Sequence, residues 1–364
     1  MEFEKLKKVY LLVLTIMLVF LLAACGGGDQ SVSNTSNQSG NNQENAGKKT
    51  VTKPVKWVHQ SLTPRGHLIT EAESYFAEEV EKRTEGRIKF DFYSGGGLGI
   101  PQADVLSSVG EGLMQTGQMY GPHVAGDLKI ADIMGLPFLI PNELELMRSV
   151  KEKLMPYWEK GMGEQFNAIP LAATQIEGRN ILTTSKVESL EDFKGLKIRP
   201  SGDTDTQLTD AIGGVPTPVD YTEVYTALQQ GVLDGAWMVN SATLSNKLYE
   251  EAKFALEVDP AGAGIATWFL VVNKDAFYAL SKEDQQIVRE VAVEAEAKIQ
   301  QRMREEATKI KKELQEKGVT FYQPSDADIK AMKDAAEPII DKWESEAGDV
   351  GKQMMDVIKE ELNN

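Results

Sequence analysis

Lys194-Gly195-Leu196-Lys197-Ile198-Arg199-Pro200-Ser201-Gly202 lies within a longer stretch, Leu190 to Asn240, on which the reading of the whole chain turns. Ile198 and its neighbours have the composition of a short strand, and Pro200 with the glycine-containing loop after it brings that strand to an end. Arg199 therefore falls at a strand terminus, where a guanidinium can project into a crevice. A planar fork of donors at such a point suits a carboxylate, because two parallel N–H to O bonds fix both position and orientation. Taken alone, the same residue reads more readily as a surface arginine in a loop.

The residues that follow tip the balance. Gly213-Gly214-Val215-Pro216-Thr217-Pro218 is succeeded by Glu223-Val224-Tyr225-Thr226-Ala227-Leu228-Gln229-Gln230-Gly231-Val232-Leu233-Asp234-Gly235. With the Lys-Gly-Leu-Lys-Ile-Arg segment before it, this run resembles the extracytoplasmic solute-binding proteins of tripartite ATP-independent (TRAP) transporters, the DctP type. The resemblance extends more loosely from about Pro54 to the region of Pro338, through Phe76-Ala77-Glu78-Glu79-Val80-Glu81-Lys82-Arg83-Thr84-Glu85-Gly86-Arg87, Gly97-Leu98-Gly99 and Leu136-Pro137-Phe138-Leu139.

The resemblance implies an α/β, two-lobed periplasmic-binding-protein-like fold, type II-like, with a long helix spanning both lobes. Carried onto this numbering, lobe one holds residues 54–176 and 265–304, and lobe two holds 177–264 and 305–364. It implies that Arg199 binds a ligand carboxylate. Gln118 and Tyr120 match positions that line the cleft in relatives, and their amide and hydroxyl can bond polar groups. Trp237 stands where many relatives carry an amide-bearing or acidic run, so its indole is expected either to wall off part of the solute or to serve as a core tryptophan. Asn240 is expected to supply an amide nearby. Arg179 is a candidate second cation, with a hinge or surface role as its rival. Ser185 replaces a further arginine of sialic-acid-binding relatives, which argues against that ligand. Asp220, Glu223 and Tyr225 are better explained by packing and capping.

Composition sets bounds on the rest. A chain of 364 residues with 41% hydrophobic content is long enough for two ordinary cores. The formal net charge of -16 makes nucleic-acid binding a poor expectation and would repel an anionic solute at long range, so any anion site must be local and preformed. His59, His67 and His123 lack the close pairing of zinc sites, and a single cysteine excludes a disulfide within the chain. No metal and no cofactor is expected.

That cysteine ends a leader. Lys5, Lys7 and Lys8 precede an apolar run from Val9 to Ala24, short for a membrane span and closing on Leu22-Ala23-Ala24-Cys25. This resembles a bacterial lipoprotein signal, which implies removal of residues 1–24 and a lipid on Cys25. Residues 25–53 then form the lipidated cysteine and a disordered tether, since Gly26 to Lys49 is rich in Gly, Ser, Asn and Gln with almost no apolar residue. A flexible coil of about 24 residues spans roughly 25 to 30 Å. The expected location is extracytoplasmic, anchored to the outer face of the cell membrane as in a Gram-positive bacterium, with a Gram-negative periplasm as the alternative.

From Val55 onward β-rich runs alternate with amphipathic helical patterns. Strands are expected at Val55–His59, Arg87–Tyr93, Gln115–Tyr120, Ala168–Ala173, Leu196–Arg199, Val215–Pro218, Gly235–Val239 and Ile265–Val272, with a helix over Leu68–Arg83 and another beginning near Gln102. Gly95-Gly96-Gly97 lacks both the Walker lysine and the Rossmann spacing, so it reads as a tight turn. Between Ser281 and Lys317, Val288, Ala292, Ala295, Ile299, Met303, Ala307, Ile310 and Leu314 recur at three- and four-residue steps without Gly or Pro, which predicts one helix of roughly 55 Å.

The functional expectation is a non-enzymatic binding protein that captures a small organic carboxylate in the cleft and delivers it to TRAP membrane permease subunits. The chain has no Gly-x-Ser-x-Gly elbow and no metal-spaced His or Cys set. The rival is a sensor that presents its closed form to a membrane histidine kinase.

Overall fold

A computed structural model describes residues 54–258 and 266–363. The leader, Cys25, the tether and the first residue of the Ile265–Val272 strand lie outside the described residues. Among those described are eleven strands, numbered in chain order, in two sheets.

The first sheet has the order β2-β1-β3-β10-β4, formed by β1 (Val55–Gln60), β2 (Ile88–Tyr93), β3 (Thr116–Tyr120), β4 (Ala168–Gln175) and β10 (Thr267–Asn273). β1 runs parallel to β2 and β3, while β10 runs antiparallel between β3 and β4. Every residue of β3, β4 and β10 is buried, as expected of central strands covered by helices on both faces. The second sheet has the order β11-β9-β5-β8-β6-β7, formed by β5 (Asn180–Thr183), β6 (Lys197–Arg199), β7 (Val215–Pro216), β8 (Gly235–Met238), β9 (Phe254–Leu256) and β11 (Thr320–Tyr322). β6 is parallel to both β7 and β8, so Arg199 leaves the carboxyl end of an interior strand. This is the α/β, two-sheet architecture expected, with the chain crossing between sheets after β4, after β9 and after β10.

The helix over Leu68–Arg83 forms where its apolar spacing places it, with Phe76 and Val80 fully buried. The long helix runs unbroken over Lys282–Glu316, capped by the Ser281 hydroxyl, which accepts from Asp284 N at 3.0 Å. Its stripe serves two cores. Val288, Val291, Ala295 and Ile299 pack into the first, and Ile310 and Leu314 into the second.

The final helix, Asp326–Leu362, has a break at Gly348, where φ is +63° and ψ is -151°, a conformation that glycine adopts without steric cost. Met332, Ala336 and Ile339 cover the second sheet, while Trp343, Met354, Met355 and Ile358 lie in the first core. The segment 305–364, expected to belong to lobe two, therefore divides between both. The cause is the length of the helix, which carries its apolar face beyond one sheet.

Gly95 and Gly96, at φ +62° and +69°, make the tight turn expected after β2. The helix expected near Gln102 begins as a short 3-10 turn at Gln102–Asp104 and continues as Val105–Gly110.

Candidate functional site

A small cavity of about 50 Å³ lies where the carboxyl ends of β3 and β6 face one another, walled by residues of both sheets. From the first side come Leu68, Tyr120, Pro122 and His123, and from the second Arg199, Ser201, Tyr221, Trp237 and Met238. Crevices at the carboxyl ends of parallel strands are where α/β folds bind small molecules, since side chains there escape the ladder and can converge.

Arg199 is 1% exposed. Its guanidinium donates to three neutral oxygens: Nε to Val219 O at 3.2 Å, Nη1 to Ser201 Oγ at 3.1 Å and Nη2 to Gln102 Oε1 at 3.3 Å. Among the described residues no carboxylate lies within ion-pair distance of it. Burial lowers its pKa to about 10, so it remains a cation at neutral pH while lacking most of its hydration. A desolvated cation held in place by neutral acceptors carries an uncompensated charge, and a carboxylate brought against it would offset the hydration lost on burial.

Arg179 is equally buried and differently committed. It forms an ion pair with Asp205, both side chains 3% exposed, and the Asp205 carboxylate also accepts from Ser201 N at 3.0 Å. Arg179 thus lines the cavity while it braces the loop after Arg199.

Trp237 is fully buried on β8 and also forms part of the cavity wall. Its indole N–H donates to Thr209 Oγ1 at 2.9 Å, so the cavity meets the ring rather than the donor. Tyr120 is on the wall, and burial holds its phenol well above the usual range. Gln118 is behind it, outside the wall, with its amide turned toward the Ser61–Thr63 loop and the Tyr120 hydroxyl. Asn240 also falls outside the wall and accepts from Asn180 Nδ2 at 3.2 Å.

Three lining residues were missed by the sequence. Tyr221 reaches the cavity because Gln102, from the opposite lobe, accepts from both Tyr221 N at 3.1 Å and Arg199 Nη2. Burial raises its phenol to about 12. His123 stacks edge-on to Tyr120 with ring centroids 5.3 Å apart, and burial beside Arg199 holds its imidazole well below the ordinary range, hence neutral. His67 caps the Leu68–Arg83 helix by accepting from Ile69 N at 3.2 Å on Nδ1, which leaves Nε2–H facing Ser241 Oγ at 3.3 Å across the cleft. Burial depresses its pKa to about 3. Tyr221 had no local signal, since its partner Gln102 is distant in sequence, and nothing local to His67 or His123 shows that the other lobe closes over them.

Among the described residues, no three His, Cys, Asp or Glu side chains converge as a metal site, and no helix is long and apolar enough to cross a membrane.

Residues 59–346 match the family model described as bacterial extracellular solute-binding protein, family 7. The chain is 27% identical over 311 residues, 85% of its length and 90% of the relative's, to a solute-binding protein of Chromohalobacter salexigens. It is similar to the solved structure of a TRAP periplasmic solute-binding protein from that organism with bound D-glucuronate, at 26% identity and a TM-score of 0.77, covering 83% of this chain and 99% of the other. An extracytoplasmic solute receptor of Bordetella pertussis binding pyroglutamic acid shares the fold with a TM-score of 0.79 at 22% identity, over 84% of this chain and 99% of that one.

Proposed function

The chain belongs to family 7 of the bacterial extracellular solute-binding proteins, the DctP type that serves TRAP transporters, and from that membership we propose that it captures a small organic carboxylate between its lobes, anchored on Arg199. The observation that carries this reading is the buried guanidinium on the cavity wall with only neutral partners. Structural relatives with bound glucuronate and pyroglutamic acid support it, because both ligands are carboxylic acids.

Tyr120 and Tyr221 supply further contacts, and Trp237 offers an aromatic wall. Arg179 acts as a positioning residue, holding Asp205 against the Ser201 amide and so fixing the loop that follows Arg199. Gln118 acts one step removed, by orienting Tyr120. Asn240, bonded to Asn180, acts at most through β5.

Binding leaves the ligand unaltered. It stabilises the closed arrangement of the lobes, and TRAP permease subunits read that closed shape. We place the protein outside the cytoplasmic membrane, held to it by a lipid on Cys25 through the residue 25–53 tether.

The test is calorimetry on the full chain after a thermal-shift screen of organic acids, in which a ligand at 100 times its Kd adds about 2.7 kcal/mol of stability. Arg199→Ala and Arg199→Lys are each expected to weaken the best ligand by more than about 100-fold with the fold intact, since lysine keeps the charge and loses the fork. Undiminished affinity in both variants would remove Arg199 from the site.

A further inference from the structure

The polar groups of the cavity differ in what they can still offer once their internal hydrogen bonds are counted. Gln118 decides the matter for Tyr120. Its Oε1 accepts from Leu62 N at 2.7 Å, Thr63 N at 3.3 Å and Ser61 Oγ at 2.7 Å. Two of those donors are backbone N–H groups, which fixes the oxygen end of the amide. The amide nitrogen is therefore the end that meets the Tyr120 hydroxyl at 2.5 Å, and the phenolic oxygen is the acceptor there. Tyr120 keeps its own proton for another partner. Tyr221 repeats the arrangement on the opposite lobe, accepting from Asn246 Nδ2 at 2.6 Å.

Acceptors on the wall are mostly engaged. Glu177 Oε1 accepts from Ser241 N at 2.9 Å, and the Asp205 carboxylate is shared by Arg179 and Ser201 N. His123, whose Nδ1 has no partner among the described residues, can accept one hydrogen bond there. Much of the remaining wall is apolar, including Ile176, Met238 and Met303. The cavity thus offers a guanidinium and two hydroxyl donors against a background with little accepting capacity.

We propose that the site selects a compact monocarboxylate whose second polar group is a hydrogen-bond acceptor carrying no hydrogen of its own, as in a branched-chain 2-oxo acid, with Tyr120 as the specificity-determining donor. The proposal rests on the carboxylate reading above. Arg199 takes the acid group, the Tyr120 hydroxyl donates to the oxo oxygen, and the apolar wall takes the branched tail. A polyhydroxylated acid would bring several O–H donors to a wall with too few acceptors, and each one left unmatched costs about 10-fold or more in affinity.

The experiment titrates the full chain in detergent micelles with 2-oxoisovalerate, isovalerate, pyroglutamate and D-glucuronate. The 2-oxo acid is expected to bind at least about 10-fold more tightly than isovalerate or D-glucuronate. Tyr120→Phe should reduce the preference for 2-oxoisovalerate over isovalerate to less than about 3-fold, a ratio that general loosening of the fold does not move. Should Tyr120→Phe fail to fold, a crystal structure of the wild type with 2-oxoisovalerate decides, and the Tyr120 hydroxyl is expected within hydrogen-bond distance of the oxo oxygen. Tighter binding of D-glucuronate, or an unchanged ratio in the folded variant, overturns the proposal. Should pyroglutamate or D-glucuronate bind in an Arg199-dependent manner while 2-oxoisovalerate does not, the specificity fails and the carboxylate site stands. Should none of the four bind while another acid from the screen binds through Arg199, the specificity falls alone; should no acid of the screen bind, both fall.

Discussion

Arg179 and Arg199 are both buried at the cavity, yet only one is matched by a carboxylate, and that difference separates a structural brace from a binding group. The sequence could point to Arg199 because a strand end, a proline and a glycine bracket it. It gave no means of seeing that Asp205 neutralises Arg179, since that pairing depends on how the Asp203–Ala211 helix returns to the loop. Asp132 raises a further question at this scale. It is 1% exposed, its Oδ2 accepts from Thr204 Oγ1 across the cleft at 3.1 Å, and its Oδ1 has no partner among the described residues. Burial raises its pKa from 3.8 to about 7, with Arg179 opposing and Asp205 and Asp203 adding to the rise. The folded protein therefore binds this proton more tightly than the unfolded chain. The resulting stability is present in full below about pH 4 and is lost as pH rises through about 7. Over that whole span the linkage is on the order of 4 kcal/mol, so melts between pH 5 and 8 should show wild type losing stability where Asp132→Asn stays flatter. Parallel curves for the two proteins would show that Asp132 titrates normally.

Elements with a strong local period were legible, and those defined by pairing alone were not. The Lys282–Glu316 helix follows from its apolar steps, and β3, β4 and β10 follow from runs long enough to fill a buried strand. β5, β9 and β11 escaped notice because three or four residues cannot display an alternation and, unlike the equally short β6, β7 and β8, they lie outside the run of Gly and Pro turns from 195 to 235; their edges are set by partners such as Met238 for Asn180 and Phe254 for Thr320. The join between β6 and the Asp203–Ala211 helix carries a prediction of its own. Gly202 has an extended backbone, so the need for glycine there is one of space. A Cβ at this position would come within 2.2 Å of Pro122 O, which belongs to the opposite lobe. Gly202→Ala should therefore oppose closure, and ligand affinity should fall by about 10-fold or more because the binding-competent fraction shrinks. The melting temperature without ligand should change little. Gly126→Ala, whose Cβ would meet nothing within 4 Å, is the control. Equal affinities for the two variants would mean that the Pro122 contact is not part of closure.

At the scale of the molecule, a net charge of -16 repels the anions that the site is proposed to take, so recognition has to be short-range and the lobes have to exclude water around Arg199. That arrangement requires two cores that move relative to each other without melting separately. The two longest helices make this possible: one carries Ala295 and Ile299 into the core of the first lobe and Leu314 into one cluster of the second lobe, and the other carries Met332 into a further cluster of the second lobe and Trp343 and Met354 into the first core. Losing either core strips apolar faces from both helices, so the lobes should unfold together although they bend apart in function. The tryptophans allow this to be measured. Trp57, Trp158, Trp268 and Trp343 lie in the core of the first lobe and Trp237 in a cluster of the second lobe. Trp237→Phe therefore leaves fluorescence that reports the first core alone, while far-ultraviolet circular dichroism reports both. In urea the two signals of this variant are expected to share one midpoint and one slope, and Leu314→Ala, expected to destabilise by about 2–5 kcal/mol, should move the fluorescence midpoint although the lost methyls belong to the other core. A fluorescence transition that stays in place while the dichroism transition moves would show that the cores are independent and that the helices link them without coupling them.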